Sequence, residues 1–204
     1  MTELWSGLIL GLAAGVSPGP LLTLVVQQTM RHGVREGVKV AAVPLITDVP
    51  VVAATVVVVR AGNLQGALGA ISLAGAAFLV YLAYESFTED LTTVAALEAA
   101  PRSVQKGVLA NLLNPHPYLF WATVGATFLQ NAWAVSVWNV VWFLLGCYGA
   151  LVGSKVAIAM FVGSGRDVLR SRWYALLARA LGVALLGFAV RFARDGVRYL
   201  GWWP

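Results

Sequence analysis

The sequence has little of what redox enzymes, metal proteins and soluble domains need: one cysteine, two histidines and few charges. Because Cys147 is the only cysteine, the chain cannot form an internal disulfide or a C-x-x-C redox pair. His32 and His116 are too few for a histidine-rich metal site, so we expect no metal and no cofactor. Charged residues make up 11% of the chain, against roughly 25% in soluble domains. An ordinary soluble domain is therefore excluded.

Hydrophobic residues dominate instead, at 59% of the 204 residues, and the mean hydropathy is +0.78. A membrane-spanning helix needs about 20 apolar residues. That window predicts six helices, near residues 4–28, 39–60, 67–88, 107–129, 134–162 and 174–193. We therefore predict an all-α integral membrane protein, with the lipid bilayer as its surrounding partner. The net charge of +5 fits basic loops between spans better than a nucleic-acid surface, so no nucleic acid is expected.

The predicted spans divide into two groups of three. They lie on either side of the one sizeable polar stretch, residues 89–106. Because three is an odd number, a duplicated half must be inverted relative to the other half. We therefore predict two inverted three-helix repeats, residues 1–88 and 107–204, joined by a cytoplasmic linker at 89–106 into one membrane domain. A second copy of the chain is kept as a candidate partner in a homodimer.

Basic residues in the loops predict the orientation, because cytoplasmic loops carry an excess of lysine and arginine. Eight such residues follow the first, third and fifth predicted spans: Arg31, Arg35, Lys39, Arg102, Lys106, Arg166, Arg170 and Arg172. The opposite face has fewer, Arg60 and three arginines near the C-terminus. We therefore expect both chain termini on the outside of the membrane.

Two proline-broken segments interrupt the first and fourth predicted spans, Ser17-Pro18-Gly19-Pro20 and Asn114-Pro115-His116-Pro117. Proline removes a backbone N–H and clashes with the carbonyl four residues earlier, so each break frees polar main-chain groups inside hydrocarbon. Matching breaks in two inverted halves are typical of a transporter substrate site near the membrane midplane. The residues predicted to bind a small-molecule substrate there are Ser17, Pro18, Gly19, Pro20, Asn114, Pro115 and His116. The alternative is a pair of structural kinks.

The residue before the first proline of each break, Ser17 or Asn114, is predicted to cap a new half-helix, with that proline at its first position. Free amide donors are then expected at Gly19, Leu21, His116 and Tyr118. A helix N-terminus carries a partial positive charge, so these donors suit a carboxylate or another anion. The alternative is that both residues cap helices without a ligand.

Asp48 lies near the middle of the second predicted span, in a run of apolar residues. An ionised carboxylate at that depth costs about 3 kcal/mol or more on insertion scales. It should therefore face a cavity, pair with a cation or take up a proton. We predict a site for a substrate ammonium group or for a transported proton. A static ion pair with Lys155 of the fifth span is the alternative.

Two other classes of function stay open. A channel or a metal-cation exporter would need more His, Cys and carboxylate ligands than the spans supply. An intramembrane enzyme that used Ser17 and His116 would need those side chains within about 3 Å of each other. We expect no enzyme.

Four segments and Asp48 also carry a family resemblance. The segments are Gly11-Leu12-Ala13-Ala14-Gly15-Val16-Ser17-Pro18-Gly19-Pro20, Arg31-His32-Gly33-Val34-Arg35-Glu36-Gly37, Phe78-Leu79-Val80-Tyr81-Leu82-Ala83-Tyr84 and Lys106-Gly107-Val108-Leu109-Ala110-Asn111-Leu112-Leu113-Asn114-Pro115. Together they resemble lysine-exporter (LysE/RhtB) type transporters. The resemblance runs through spans one to four and fades after them.

That resemblance implies a prokaryotic exporter in the cytoplasmic membrane, which moves amino acids or similar small metabolites and is driven by an ion gradient. The Ser-Pro-Gly-Pro turn, the Asp of the second span and the Asn-Pro turn would then lie on the substrate path. The chain departs from the family at Val43 and Thr47, where members commonly have glycine. It also adds Pro44 and Pro50, so the wall beside Asp48 is reshaped.

Taken together, the residues and the resemblance predict a secondary transporter that couples export of its cargo to protons. The half-helix N-termini would hold a carboxylate, while Asp48 would meet an amino group or exchange a proton. A metal-cation exporter or channel of the same superfamily is the alternative.

Overall fold

The computed structural model of the chain describes residues 2–62, 64–88, 101–164 and 172–202, and every regular element in those ranges is helical. The elements are α1 (Thr2–Val16), α2 (Pro20–His32), α3 (Val34–Ala41), α4 (Pro44–Arg60), α5 (Leu64–Thr88), α6 (Ser103–Leu112), α7 (Pro115–Phe120), a π-helical segment (Trp121–Gly125), α8 (Ala126–Val135), α9 (Val137–Ser164) and α10 (Arg172–Tyr199). The predicted all-α class is confirmed. Most of the predicted linker, residues 89–100, and the loop cations Arg166 and Arg170 lie outside the described residues.

Three helices are long and apolar enough to cross a membrane: Val34–Arg60, which joins α3 and α4, Leu64–Phe87 within α5, and Val137–Ser164, which is α9. The pair α1 and α2 passes the same test together as one span with a bend of 65°. The described residues thus contain up to four candidate spans, and the predicted count of six stays a prediction. α10 is 28 residues long, and its last third carries Arg191, Arg194, Asp195 and Arg198.

α1 packs against α9 with almost no side chain between the two backbones. Gly7 and Gly11 of α1 are buried, and a Cβ on either would overlap the carbonyl group of Phe143 or Cys147. Small residues permit such close contact in a membrane, where lipid offers helices no hydrophobic driving force. The fit fixes the end of α1, and with it the first break, against α9.

α5 and α10 form a second close pair and run antiparallel, because Gly69 of α5 meets Leu200 while Phe87 meets Gly182. The main hydrophobic core lies between this pair and α2. Its members include the fully buried Leu24, Leu79, Leu82, Leu185 and Phe192. α2 is therefore a packed helix for most of its length, whereas α1 is buried mainly along its glycine face.

The two breaks and Asp48 lie at one depth of the bundle. Gly15, at the end of α1, lies against Leu151 in the middle of α9. Gly75, in the middle of α5, lies against the carbonyl group of Leu113 at the second break. Asp48 is near the middle of its own span. A site built from all three therefore needs no long-range movement of the helices.

Candidate functional site

A cavity of about 340 Å³ lies where the two helix breaks meet α4, α9 and α10. Most of the predicted site residues line it, namely Ser17, Pro18, Gly19, Pro20, Asp48, Asn114, His116 and Lys155. Pro115 is buried at the first position of α7 and is not one of the lining residues. The structure thus brings both breaks and the acid of the second span around one cavity. That these residues bind a substrate stays a prediction.

The Asp48 side chain lines the cavity and is 7% exposed. The Asn111 amide donates to Oδ1 at 3.2 Å, and the Tyr148 hydroxyl donates to Oδ2 at 3.0 Å. Asn111 also donates to the Thr47 hydroxyl at 2.6 Å, which joins α6 to α4 at this depth. Neutral donors thus bind both carboxylate oxygens, and they hold the group in place without cancelling its charge.

Sequence reasoning missed Asn111 and Tyr148 as partners of Asp48. Asn111 carries a usable signal, because a buried amide in an apolar span needs hydrogen-bond partners. It also lies three residues before Asn114, on the same side of α6 as the break. Tyr148 carries no such signal, since tyrosine is common in membrane helices as an interfacial anchor.

Lys155 of α9 is 3% exposed, and its ammonium group binds the backbone of α1. Nζ donates to the carbonyl oxygen of Gly15 at 3.0 Å and to that of Ala14 at 3.3 Å. The last four carbonyl groups of a helix have no partner within the helix, and a cation near them is favoured by the helix dipole. No ion pair within 4.0 Å joins Lys155 to Asp48, both of which are described residues. The two charged groups line the same cavity without direct contact, and an ion pair between them stays an alternative that this geometry does not decide.

The first break differs from the prediction in where the new helix begins. α2 begins at Pro20 with Gly19 as its N-cap, and no side chain caps it. Ser17 is exposed and lies before the helix, so its predicted capping role is wrong. The reason is that the residue before a proline avoids helical backbone angles, and Gly19 is extended with φ −170° and ψ 174°. A helix that started at Pro18 would have to pass through Gly19.

The amides at the start of α2 are left open by this arrangement. The N–H of Thr23 is the first to meet a backbone carbonyl, that of Gly19 at 3.0 Å. Those of Leu21 and Leu22 precede it, in the turn where helix amides have no partner within the helix. Both residues line the cavity. The expected donor at Leu21 therefore stays available for an anion, and Leu22 joins it.

At the second break the predicted N-cap is present, but the predicted free amide donors are not all free. Asn114 is the N-cap of α7 and Pro115 occupies the first position, as predicted. The His116 N–H donates to the Asn114 side-chain oxygen at 3.0 Å, so the prediction of a free donor at His116 is wrong. Pro115 and Pro117 have no N–H at all. The first turn of α7 thus offers a ligand no free amide at its first three positions.

Aromatic rings form much of the remaining cavity wall, those of Phe120, Trp121, Phe188 and Phe192. The His116 ring lies 5.9 Å from the Phe192 ring, centroid to centroid. No hydrogen bond joins the described side chains of Ser17 and His116. Across the described ranges, no three His, Cys, Asp or Glu side chains come together as metal ligands. The cavity therefore combines one carboxylate, one ammonium group and an apolar wall.

The family model of the LysE type translocator matches residues 12–196. No curated protein and no solved structure matches the chain.

Proposed function

We propose, from the premise that the chain belongs to the LysE type translocator family, that it is a proton-coupled secondary transporter. Its cargo is an amino acid or a similar small metabolite, and it exports that cargo across the cytoplasmic membrane of a prokaryote. Membership makes the chain a multi-pass membrane translocator. The cargo, the direction and the coupling ion are the proposal.

One observation carries the proposal: a buried carboxylate lines the cavity and has no basic side chain in direct contact. Asp48 is held by Asn111 and Tyr148, which are neutral donors. A buried charge is costly unless it is paired or neutralised. Its partner in the transport cycle is therefore the cargo ammonium group or a proton. The ammonium group and the proton would compete for the same two oxygen atoms of Asp48. Such competition would couple the movement of the cargo to that of the proton.

The part of the cavity wall formed by the start of α2 suits a carboxylate. The Leu21 and Leu22 amides open at the positive end of α2, and anions bind readily at such helix ends. Lys155 lines the same cavity and adds a full positive charge beside the last carbonyl groups of α1. A zwitterion placed between α2 and Asp48 meets opposite charge at both ends.

The size and the walls of the cavity favour a small cargo. Its volume of about 340 Å³ is at the small end of the range of about 300–1,000 Å³ found for ligand pockets. The rings of Phe188 and Phe192 line the side facing α10. Those rings fit an apolar side chain better than a long charged one, because an unpaired charge against them would stay unsolvated.

The proposed cycle moves one proton against one cargo molecule. Asp48 takes up a proton from the outside and gives it up on the inside, where its charge then binds the next cargo ammonium group. The two halves rock around the cavity, as inverted repeats do in other secondary transporters. Asn111 and Tyr148 keep the carboxyl group in place in either protonation state.

The test is flux through purified protein in proteoliposomes, screened across amino acids and metal cations under defined pH gradients. Asp48→Asn keeps the size of the side chain and removes its titration, so pH-driven flux should disappear while the protein still folds. Asp195→Asn is the matched control, because that carboxylate pairs with Arg191 at 3.9 Å and does not line the cavity. Full coupling retained in Asp48→Asn would refute the role of Asp48. Flux of metal cations alone would replace the amino-acid cargo with the alternative.

A further inference from the structure

A second group of buried polar residues lies away from the cavity, where α2, α5 and α6 meet. We call it the polar clasp, and its members are Gln27, Gln28, Arg31, Glu85, Ser86, Ser103 and Lys106. None of them lines the cavity. Five of these seven side chains are buried, namely those of Gln27, Gln28, Arg31, Ser86 and Ser103. Buried polar and charged side chains are costly in a membrane bundle, so we take such a group as a functional candidate by default.

The contacts of the polar clasp cross between elements that are far apart in sequence. The Gln27 amide donates to the Ser86 hydroxyl at 2.5 Å, which ties α2 to α5. The Ser103 hydroxyl donates to the Gln28 side-chain oxygen at 2.9 Å, which ties α6 to α2. Lys106 of α6 forms an ion pair with Glu85 of α5.

Arg31 completes the group from the end of α2. Its Nη2 donates to the backbone carbonyl of Glu85 at 3.3 Å, and the side chain is 6% exposed. The three helices are therefore joined pairwise, by residues of the first predicted half and of the predicted linker, which leads into the second half. Contacts of this kind hold only one position of α6 relative to α2 and α5.

The place of the polar clasp relative to the cavity follows from the two breaks. α2 begins at the first break and α6 ends at the second, so both helices lead from the cavity to the polar clasp. Between the two lies packed apolar core, including Leu24, Val25 and Ala110. The Leu24 and Val25 side chains are fully buried there. The polar clasp thus lies beyond this core from the cavity, on the face where Arg35 and Lys39 are exposed.

The polar clasp also leaves polar atoms unsatisfied. Within the described part of the chain, Gln27 Oε1, Gln28 Nε2 and Glu85 Oε2 are buried without a hydrogen-bond partner. Buried polar groups normally have partners, and an unsatisfied one loses its hydration without compensation. Opening of the route would admit water to these atoms. The closed arrangement therefore carries a cost that opening would remove, set against the contacts that opening would break.

We infer that the polar clasp is the cytoplasmic gate of the transporter, and that this structure has the gate closed. The inference rests on the proposed function, since a gate has meaning only in a protein that moves a cargo. Separation of α6 from α2 and α5 breaks the Glu85–Lys106 pair, exposes the polar face of α6 and opens a path to Asp48. The polar side chains of α6 on that path are Ser103, Lys106 and Asn111, and Asn114 follows them at the break.

The test measures water access to the cavity and needs no cargo. Ser17→Cys in a Cys147→Ser background places one thiol on the cavity wall, and a membrane-impermeant thiol reagent is applied to either face of sealed vesicles. Arg35→Cys in the same background identifies the face that carries the polar clasp. Modification of the thiol at position 17 from that face should be slow with the polar clasp intact. Glu85→Gln should raise its rate by about tenfold, because the closed population falls when the ion pair is lost.

Two further variants separate a gate from a general loss of packing. Lys106→Met should raise the rate as much as Glu85→Gln does, and the double variant should raise it no further, since one pair is removed once. Arg191→Met is the matched control, because Arg191 pairs with Asp195 of its own helix at 3.9 Å and joins no two helices. That variant should leave the rate unchanged.

Three outcomes would overturn the inference: an unchanged rate in both single variants, an equal rise from both faces, or a multiplicative effect in the double variant. The result stands apart from the flux screen. A protein that moves no amino acid but shows the face-specific rise keeps the gate and loses the proposed cargo. A protein that moves amino acids without the rise keeps the cargo and loses the gate.

Discussion

The two helix breaks share a Pro-X-Pro pattern, yet only the second is completed by its own neighbourhood. The Asn114 side chain accepts the His116 N–H at 3.0 Å. The Tyr118 hydroxyl donates to the Leu112 carbonyl at 2.9 Å, across the break. Four residues between Leu112 and Tyr118 thus satisfy two of the polar groups at the break. The second break is a self-contained structural element.

The first break depends on a distant residue. The carbonyl groups of Ala14 and Gly15 are bound by Lys155 of α9, and the helix that follows begins at Gly19 without a side-chain cap. The C-terminus of α1 is thus bound by a tertiary contact, and the N-terminus of α2 is left open to the cavity. The same pattern of prolines therefore leaves no free amide in the first three positions of α7 but leaves free amides at the start of α2. This difference favours α2 as the place where an anion would bind.

The largest effect on stability is expected from Lys155→Met, which removes the tertiary contact between α9 and the end of α1 at the first break. Two buried carbonyl groups lose their charged donor, so the free energy of unfolding should fall by about 3 kcal/mol. Chemical denaturation in detergent micelles measures it. Lys39→Met, at a lysine whose side chain is 54% exposed, should cost less than about 0.5 kcal/mol. Equal losses in the two variants would mean that Lys155 does not fasten α1.

A smaller effect is expected from Gly75→Ala, which tests how closely α5 approaches the second break. The new Cβ would overlap the Leu113 carbonyl oxygen, and backbone cannot move aside as a side chain can. We expect a loss of about 2 kcal/mol in the same denaturation measurement. Gly153→Ala in α9 is the control, because a Cβ there meets no described atom within 4 Å. If both variants are neutral, the second break does not lie against α5.

The smallest effect sharpens the contrast between the two predicted caps. Asn114→Ala removes the acceptor of the His116 N–H and should lower the free energy of unfolding by about 1 kcal/mol. Ser17→Ala should leave it unchanged, because Ser17 caps no helix. The free energies of unfolding of Ser17→Ala and Asn114→Ala are measured side by side with the same denaturant. An equal loss of stability in the two variants would mean that Ser17 caps a helix as Asn114 does, against the structure.

The features that the sequence predicted are those with a local physical cost. A proline inside an apolar span and an acid at its centre are unfavourable wherever they occur, so each break and Asp48 could be singled out from the chain alone. The partners of Asp48 could not. Asn111 and Tyr148 lie on α6 and α9, and their meeting with α4 depends on how those helices pack. Lys155 was noticed as a charge within a span, but its backbone partners on α1 could not be predicted, for the same reason.

The sequence by itself determined that the chain is an all-α membrane protein with two interrupted helices and an acid buried between them, because hydropathy and proline geometry act over a few residues. Only the tertiary structure decided which atoms those interruptions leave open. Gly19 and Asn114 both precede a proline, but one opens its helix to a cavity and the other closes its own. The reason is that a freed backbone group takes whatever partner is near, and nearness across the bundle is set by helix packing.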